Sequence, residues 1–331
     1  MCFIFLIICF MLLTSCQEHN NSIHLSEVPS VAISGSSLGN LELQSPRKIF
    51  TINKEIVLFD ETMKDGFLCF IDSGNGEIIR YYGIEGRASN EYLEPNVFPN
   101  HNSVLIQTID GNTYSVDTTC RPRKVLPGIE PSTRVGSNFV GLCADSTIIV
   151  SSPSTDNRPD IINYNGTSAF NLYPFKTENG LQLLKETVFD ASYCVSYNGN
   201  KVIIADRYYP LIEIVDIETK TSTVCRIEEN GCKNVYVVDN GYASFEDPYL
   251  KYSVCKTGRN GFFALYHNLK MEEAIQVPPE IHYFSYDGKL EKRYILDRVI
   301  YDFALSDDET GIYALGLNDS FVAEIFRFAL P

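Results

Sequence analysis

The sequence has little histidine and no tryptophan. Its five histidines are His19, His24, His101, His267 and His282. They contain no His-x-x-x-His pair, and the ten cysteines contain no Cys-x-x-Cys. Dedicated zinc sites are built on such spacings, so none is expected, and neither is any other metal or cofactor. No Gly-Lys-Ser/Thr occurs, which excludes a phosphate-binding loop of that kind. Positive charge is in short supply: 27 Lys and Arg stand against 42 Asp and Glu, a net charge of -15. A nucleic-acid partner is therefore not expected, and the acidity serves solubility. Long amphipathic stretches are few. What the chain has instead is 20 Tyr, 20 Phe and many short β-branched runs, a composition that favours an all-β fold.

The one long apolar run, residues 1–13, is too short to span a bilayer as a helix, which needs about 20 residues. It suits the apolar core of a signal peptide, although no Lys or Arg precedes it. Leu13-Thr14-Ser15-Cys16 follows directly and resembles a bacterial lipobox, in which the cysteine becomes lipidated and N-terminal. Residues 1–15 are thus read as a lipoprotein signal peptide, Cys16 as the lipid site and 16–27 as a polar tether. Gln17 resembles the second residue of lipoproteins sent to the outer membrane.

A single domain is expected over 28–331. A similar apolar strand recurs at Ile56-Val57-Leu58-Phe59, Val104-Leu105-Ile106, Ile148-Ile149-Val150, Val202-Ile203-Ile204-Ala205, Phe262-Phe263-Ala264-Leu265 and Ile312-Tyr313-Ala314-Leu315. The centres lie roughly 44 to 60 residues apart, against about 40 to 50 for a four-stranded propeller blade. Each reads as an inner strand, apolar on both faces. Further strands follow most copies across turns such as Ser73-Gly74-Asn75-Gly76, Asp287-Gly288 and Asn165-Gly166. The Pro/Ser-rich stretch 151–160 reads as a long hairpin loop. Six copies predict a six-bladed β-propeller of four-stranded antiparallel blades. The last copy lacks an outer strand, so closure by an N-terminal strand is expected, with Lys48-Ile49-Phe50-Thr51-Ile52 and residues 28–33 as candidates.

The stretch Gly83-Ile84-Glu85-Gly86-Arg87-Ala88-Ser89-Asn90-Glu91-Tyr92 carries a resemblance. With the repeats, it makes the chain similar to the TolB-like six-bladed propeller lipoproteins of Gram-negative envelopes. Gly86, Glu91 and Tyr92 match the family pattern, whereas Ala88 and Ser89 stand where Gly-Pro is usual. The resemblance implies a fold more than an activity. From the residues, Gly83 and Gly86 permit a tight turn, Tyr92 anchors it on apolar surface, and Glu91 either accepts backbone amides or lines the channel.

Catalytic constellations are sparse. His101 and His267 flank inner strands. Gly35-Ser36-Ser37-Leu38-Gly39 spells the Gly-x-Ser-x-Gly of a nucleophile elbow, but no helical pattern follows, so a flexible turn is expected. Asp307-Asp308-Glu309 and Glu228-Glu229 read as solvated turns without a calcium-loop pattern. Asp60 and Asp206 end equivalent strands and are expected to hold turn amides. Seven cysteines remain in the mature chain after Cys16, an odd number. Cys225 and Cys232 are spaced to close a hairpin, and Cys69 reads as a core thiol. Tyr208-Tyr209-Pro210 and Phe245-Glu246-Asp247-Pro248-Tyr249 are candidate contact loops. The resulting expectation is a lipoprotein of the cell envelope, anchored through Cys16. It acts as a non-catalytic binding or scaffolding propeller for an envelope protein or glycan. The alternative is a lyase or hydrolase working at the channel mouth.

Overall fold

The computed structural model describes residues 19–39, 43–88, 91–100, 102–109, 112–126, 148–149, 160–162, 169–171, 190–219, 221–228, 235–239, 242–246 and 248–331. Among them every regular element is a β-strand, apart from one 3-10 turn at Leu25–Glu27. The strands form an all-β propeller with five described blades of four or five strands. Blade 1 holds Lys48–Ile52, Glu55–Phe59, Leu68–Asp72 and Ile78–Tyr82. Blade 2 holds Asn96–Asn100, Ser103–Gln107, Thr113–Val116 and Arg123–Leu126. Blade 3 holds Ala191–Val195, Lys201–Asp206, Leu211–Asp216 and Thr221–Ile227. Blade 4 holds Tyr249–Thr257, Gly261–Lys270, Glu280–Ser285 and Leu290–Leu296. Blade 5 holds Ile300–Leu305, Gly311–Leu317 and Ala323–Ala329. Between blades 2 and 3 in sequence, Ile148–Ile149, Asp160–Ile162 and Ala169–Asn171 form a three-stranded sheet where the third repeat was expected. The loop 151–159 and the Asn165-Gly166 turn lie outside the described residues. Val235–Asp239 and Tyr242–Glu246 pair as a separate hairpin.

The apolar repeat is the second strand of each blade rather than the innermost one. A second strand is hydrogen-bonded on both edges and packed on both faces, so its middle is apolar: residues 56–59 and 261–266 are buried throughout. The innermost strand has one free edge on the channel. Its amides and carbonyls need partners, which accounts for its polar residues. Asp302 Oδ2 accepts the Ile49 amide at 2.8 Å, and Ser192 Oγ accepts the Cys255 amide at 2.9 Å. Thr51 Oγ1 donates to the Leu305 carbonyl at 2.6 Å.

The N-terminal segment runs along the outer edges of three successive blades. His19–Ile23, within the stretch expected to be a polar tether, pairs in parallel with Thr221–Ile227 of blade 3. Ser30–Ile33 pairs in parallel with Leu290–Leu296 of blade 4. Gly35–Ser37 pairs antiparallel with Ala323–Ala329 as the fourth strand of blade 5. Neither candidate for that last place holds it: Lys48–Ile52 is the innermost strand of blade 1, and Ser30–Ile33 belongs to blade 4. The Gly-x-Ser-x-Gly string is therefore an edge strand and not a flexible turn. Gly35 is required there, because a Cβ would meet the Phe328 ring at 2.6 Å. Exposed sheet edges invite pairing with other chains, and this strap covers three of them.

Among the described residues, four apolar seams join neighbouring blades. Phe59, Phe67 and Tyr92 meet Val97 and Val104 between blades 1 and 2. Ile203, Cys194 and Cys225 meet Tyr252, Phe262 and Phe284 between blades 3 and 4. Phe263 and Leu265 meet Phe303 and Phe328 between blades 4 and 5. Ile49 and Leu58 meet Ala304 and Tyr313 between blades 5 and 1. The hairpin turns are held by side chains. Asp60 Oδ2 accepts the Ser45 amide, and Asp206 Oδ1 accepts those of Tyr208 and Tyr209 at 3.0 and 3.1 Å. The two aspartates thus play the part expected of them. Asn53 and Lys54, at φ 48° and 67°, make the tight two-residue turn of blade 1.

Candidate functional site

Strand direction alternates within each blade. The first-to-second and third-to-fourth turns therefore share one end of the propeller, and the other connections share the opposite end. A cavity of about 330 Å³ opens at the first end, lined by the C-terminal ends of all five described innermost strands and the turns after them. Thr51 and Asn53 come from blade 1, Asn100 and Asn102 from blade 2, and Val195 and Tyr197 from blade 3. Lys256, Thr257 and Arg259 come from blade 4, and Ser306, Asp307 and Glu309 from blade 5. The wall thus offers hydroxyls, amides and one half-exposed tyrosine, with an apolar part that includes Ile49, Phe50, Pro99, Val195 and Leu305. Such a mixture suits a small polar ligand.

The charged side chains at this end are engaged by backbone groups of neighbouring turns. Asp307 Oδ2 accepts the Lys54 amide at 2.6 Å, and Glu309 Oε1 accepts the Arg259 amide at 2.6 Å. Arg259 Nη2 donates to the Asp307 carbonyl at 2.6 Å. Deeper in, Lys256 Nζ pairs with Asp302 Oδ1 at 2.9 Å and lies 5.2 Å from the centre of the Phe50 ring. Lys48 donates to Asn96 Oδ1 and the Val97 carbonyl at 2.9 and 2.7 Å. Burial pushes its ammonium down to about 8, partly offset by the attraction of Asp302. These ions stitch blades together. Among the described residues no three His, Cys, Asp or Glu side chains come together as a metal site.

The family-motif loop lies at the opposite end, because it links the last strand of blade 1 to the first of blade 2. It closes on itself. Glu91 Oε2 accepts the Ala88 amide at 2.8 Å, the Gly86 amide donates to the Tyr92 carbonyl, and the Tyr92 amide donates to the Ile84 carbonyl. Gly86 leaves room for that carboxylate, since a Cβ would sit 2.0 Å from Glu91 Oε2. Gly83 has φ +79°, and a Cβ there would meet the Phe67 ring at 2.4 Å. Tyr92 is buried, edge-on to Phe67 and Tyr114 at 5.5 Å each, with its hydroxyl 2.7 Å from that of Tyr82. Of the two roles open to Glu91, its carboxylate holds a backbone amide of its own loop, that of Ala88. Cys16, His101 and Cys232 lie outside the described residues. The same end of the propeller carries exposed apolar loop residues from three other blades, Ile109, Met271, Ile275, Val277, Phe321 and Val322, besides Ile84 of the motif loop.

His267 does not reach the cavity. It lies within the second strand of blade 4, where Nε2 is 2.8 Å from Ser253 Oγ. Burial, helped by the charge of Arg207, pushes it down to about 4, so the ring is neutral at pH 7. Its Nδ1 is buried with no hydrogen-bond partner among the described residues. The Nε2 contact satisfies the Ser253 hydroxyl inside the strand, away from the cavity wall. His282 is fully buried between Tyr252 and Glu280, and Glu280 is clamped by Arg293 at 2.8 and 2.7 Å. Arg293 in turn donates to the Leu25 carbonyl of the strap at 3.0 Å.

Asp307 and Glu309, read as part of a solvated turn, line the cavity, and so do Ile49, Phe50 and Thr51 of a strand read only as a candidate for closure; the other cavity residues belong to no spaced motif. The usable signal was the turn type. Ser196-Tyr197-Asn198 and Ser306-Asp307-Asp308 are equivalent turns, in which Ser196 Oγ lies 2.8 Å from Asn198 Oδ1 and Ser306 Oγ donates to Asp308 at 2.7 Å.

The TolB-like 6-blade propeller-like family model matches residues 27–308. By sequence, no curated protein matches the chain. Among solved structures, the chain is similar to a protein described as exported, from Bacteroides fragilis. The TM-score is 0.57 at 10% identity, over 95% of this chain and 100% of that one. It is similar to a member of the DUF4221 family from Bacteroides vulgatus, with TM-score 0.55 at 12% identity over 92% and 97%. A third is the calcium-binding protein regucalcin from Agrobacterium tumefaciens, with TM-score 0.50 at 11% identity over 91% and 95%. At such identities the similarity is one of fold alone.

Proposed function

The chain belongs to the TolB-like 6-blade propeller-like family, and from that premise we propose that it is a six-bladed envelope lipoprotein that binds a small polar ligand without transforming it. On this reading the three-stranded sheet of 148–171 is part of the sixth blade, and Gly35–Ser37 closes the ring. The observation that carries the binding role is the cavity at the channel mouth. Its carboxylates and its arginine are taken up by backbone amides and a carbonyl across blade seams, and the rest of its wall is hydroxyl, amide, aromatic and aliphatic. A catalytic site needs an acid or base held in reach of a reacting atom, whereas this arrangement supplies hydrogen bonds and a stacking ring. About 330 Å³ has room for one sugar ring. Envelope glycans are the ligand class this favours. The test is calorimetry and thermal shift of the mature protein against cell-wall and capsular glycan fragments. Saturable binding that Tyr197→Ala and Asn100→Ala weaken at least tenfold supports the reading, and release of a chemically altered sugar refutes it.

A second reading is favoured by the opposite end. Exposed Ile84, Ile109, Ile275 and Phe321 come from four blades and suit an envelope protein partner. In that case cross-linking in the native envelope captures one stoichiometric protein, and Phe321→Glu with Ile275→Glu abolishes its capture.

Anchoring through Cys16 completes the proposal, and Gln17 favours the outer membrane. His19 is already paired on the rim of blade 3, three residues after Cys16. At about 3.4 Å per extended residue, that rim is held within about 10 Å of the lipid. Cys16→Ser should move the protein from the membrane to the soluble fraction of the envelope.

A further inference from the structure

We propose that Cys194 and Cys255 form a disulfide in the mature protein, which staples blade 3 to blade 4 at the wall of the cavity. The two cysteines lie on neighbouring innermost strands, Ala191–Val195 and Tyr249–Thr257. Hydrogen bonds hold those strands together on both sides of the pair. The Cys255 amide donates to Ser192 Oγ at 2.9 Å, and Thr257 Oγ1 donates to the Val195 carbonyl. The side chains of 194 and 255 therefore enter the same seam between the two bonds, where both thiols belong to one buried cluster. Both are thiols in this structure, 2% and 3% exposed in one apolar seam, and Cys194 also lines the cavity. Thiols that enter one seam from neighbouring strands held in register need little backbone movement to join.

The other described cysteines have different surroundings. Cys225 Sγ donates to the Gly288 carbonyl at 3.1 Å, Cys120 Sγ accepts from Arg80 Nε at 3.2 Å, and Cys69 is packed in the third strand of blade 1. The Cys225–Cys232 hairpin link suggested by spacing thus competes with a carbonyl contact already made by Cys225.

The proposal rests on the exported location given above, because a reducing compartment would keep both thiols. The oxidant is a disulfide donor of the thiol–disulfide exchange class. One cysteine thiolate attacks a sulfur of the donor disulfide, forms a mixed disulfide and expels one donor thiolate. The second cysteine thiolate then attacks the protein sulfur of the mixed disulfide, forms the Cys194–Cys255 bond and expels the other donor thiolate. Two electrons reduce the donor, and the two protons lost by the cysteines go to the two donor thiolates. Burial raises the Cys194 thiol, so exchange proceeds before blades 3 and 4 close and is locked afterwards.

The test uses the lipidated protein extracted from its own envelope without reductant, acid-quenched, denatured and alkylated with N-ethylmaleimide. Peptide mass analysis should find the Cys194 and Cys255 peptides joined, two hydrogens lighter than their sum. Reduction should release them, and Cys225→Ser should leave the joined peptide intact. Recovery of both peptides as maleimide adducts without reduction overturns the proposal. A second arm separates its premises. The same protein is reduced, unfolded and refolded in a glutathione redox buffer. If the pair fails to rejoin although the circular-dichroism spectrum is native, the facing geometry is refuted. If the pair rejoins there but is reduced in the cell, and fractionation finds an unprocessed chain in the cytoplasm, the exported location has failed and the proposal with it.

Discussion

Replacing Glu280 by Gln should remove a pH-dependent part of the stability of this propeller. Glu280 is three-quarters buried, and burial alone would push its carboxyl up. The hydrogen bonds and charges of His282 and Arg293 outweigh burial and hold it at about 2, against an ordinary 4.5. A group depressed in the folded state stabilises above its unfolded pKa and loses that contribution as pH falls towards its folded one. At about 1.4 kcal/mol per pKa unit, the contribution is about 3 kcal/mol at pH 6 and about 1 kcal/mol at pH 3. Glu280→Gln keeps the shape but leaves the Arg293 guanidinium, 17% exposed, without its counter-charge. Urea unfolding of both proteins at pH 6, 4.5 and 3 measures the gap, and the other carboxylates cancel in the difference. The gap should narrow steadily as the pH falls. A gap that stays constant, or one below about 0.5 kcal/mol at pH 6, would refute the assignment of this clamp as a stabilising ion pair.

Gly83→Ala should lower the unfolding free energy by more than about 1 kcal/mol, since it combines a positive φ with a Cβ set against the Phe67 ring; an unchanged midpoint in urea would show that the loop can relax. Lys48, held at about 8 by burial against an ordinary 10.5, binds its proton less firmly when folded, so stability should rise with pH between about 8 and 10.5. Lys48→Met should flatten that rise, and an identical pH slope in both proteins counts against it. Ile23→Asp places a charge where Ile23 packs on the seam of blades 3 and 4, so the strap should detach and limited proteolysis should cut before residue 30 at native temperature. Equal cleavage in the wild type would mean that the strap is not held by this contact.

The all-β class and turns such as Asp287-Gly288 were legible, because a strand buried on both faces must be apolar and an Asx-Gly turn must tolerate positive φ. The phase of the repeat was not. Continuous apolarity marks the second strand, whereas the innermost strand carries polar residues such as Lys48, Thr51 and Ser192 that serve its free edge. The reading therefore began each blade one strand late. Gly35-Ser36-Ser37 was misread as a turn because three small residues carry no strand signal. Their pairing comes from the neighbour, Ala323–Ala329, which presents an open edge. The family-motif residues were found, and their structural role is plain once Glu91 is seen folded onto Gly86.

By itself the sequence determined an all-β chain of repeated meanders, acidic and poor in metal-binding spacings, with an apolar run and a lipobox-like cysteine at its start. Those properties depend on residue type and local period, which are written along the chain. Tertiary structure alone decided which ends of the strands converge. Thr51, Asn100, Tyr197, Thr257 and Ser306 are distant in sequence and ordinary in type. They share one cavity only because strands of equal direction from successive blades point the same way around the channel. The facing of Cys194 and Cys255 has the same origin. It comes from the contact of two innermost strands across a blade seam, and no spacing in one dimension encodes such a contact.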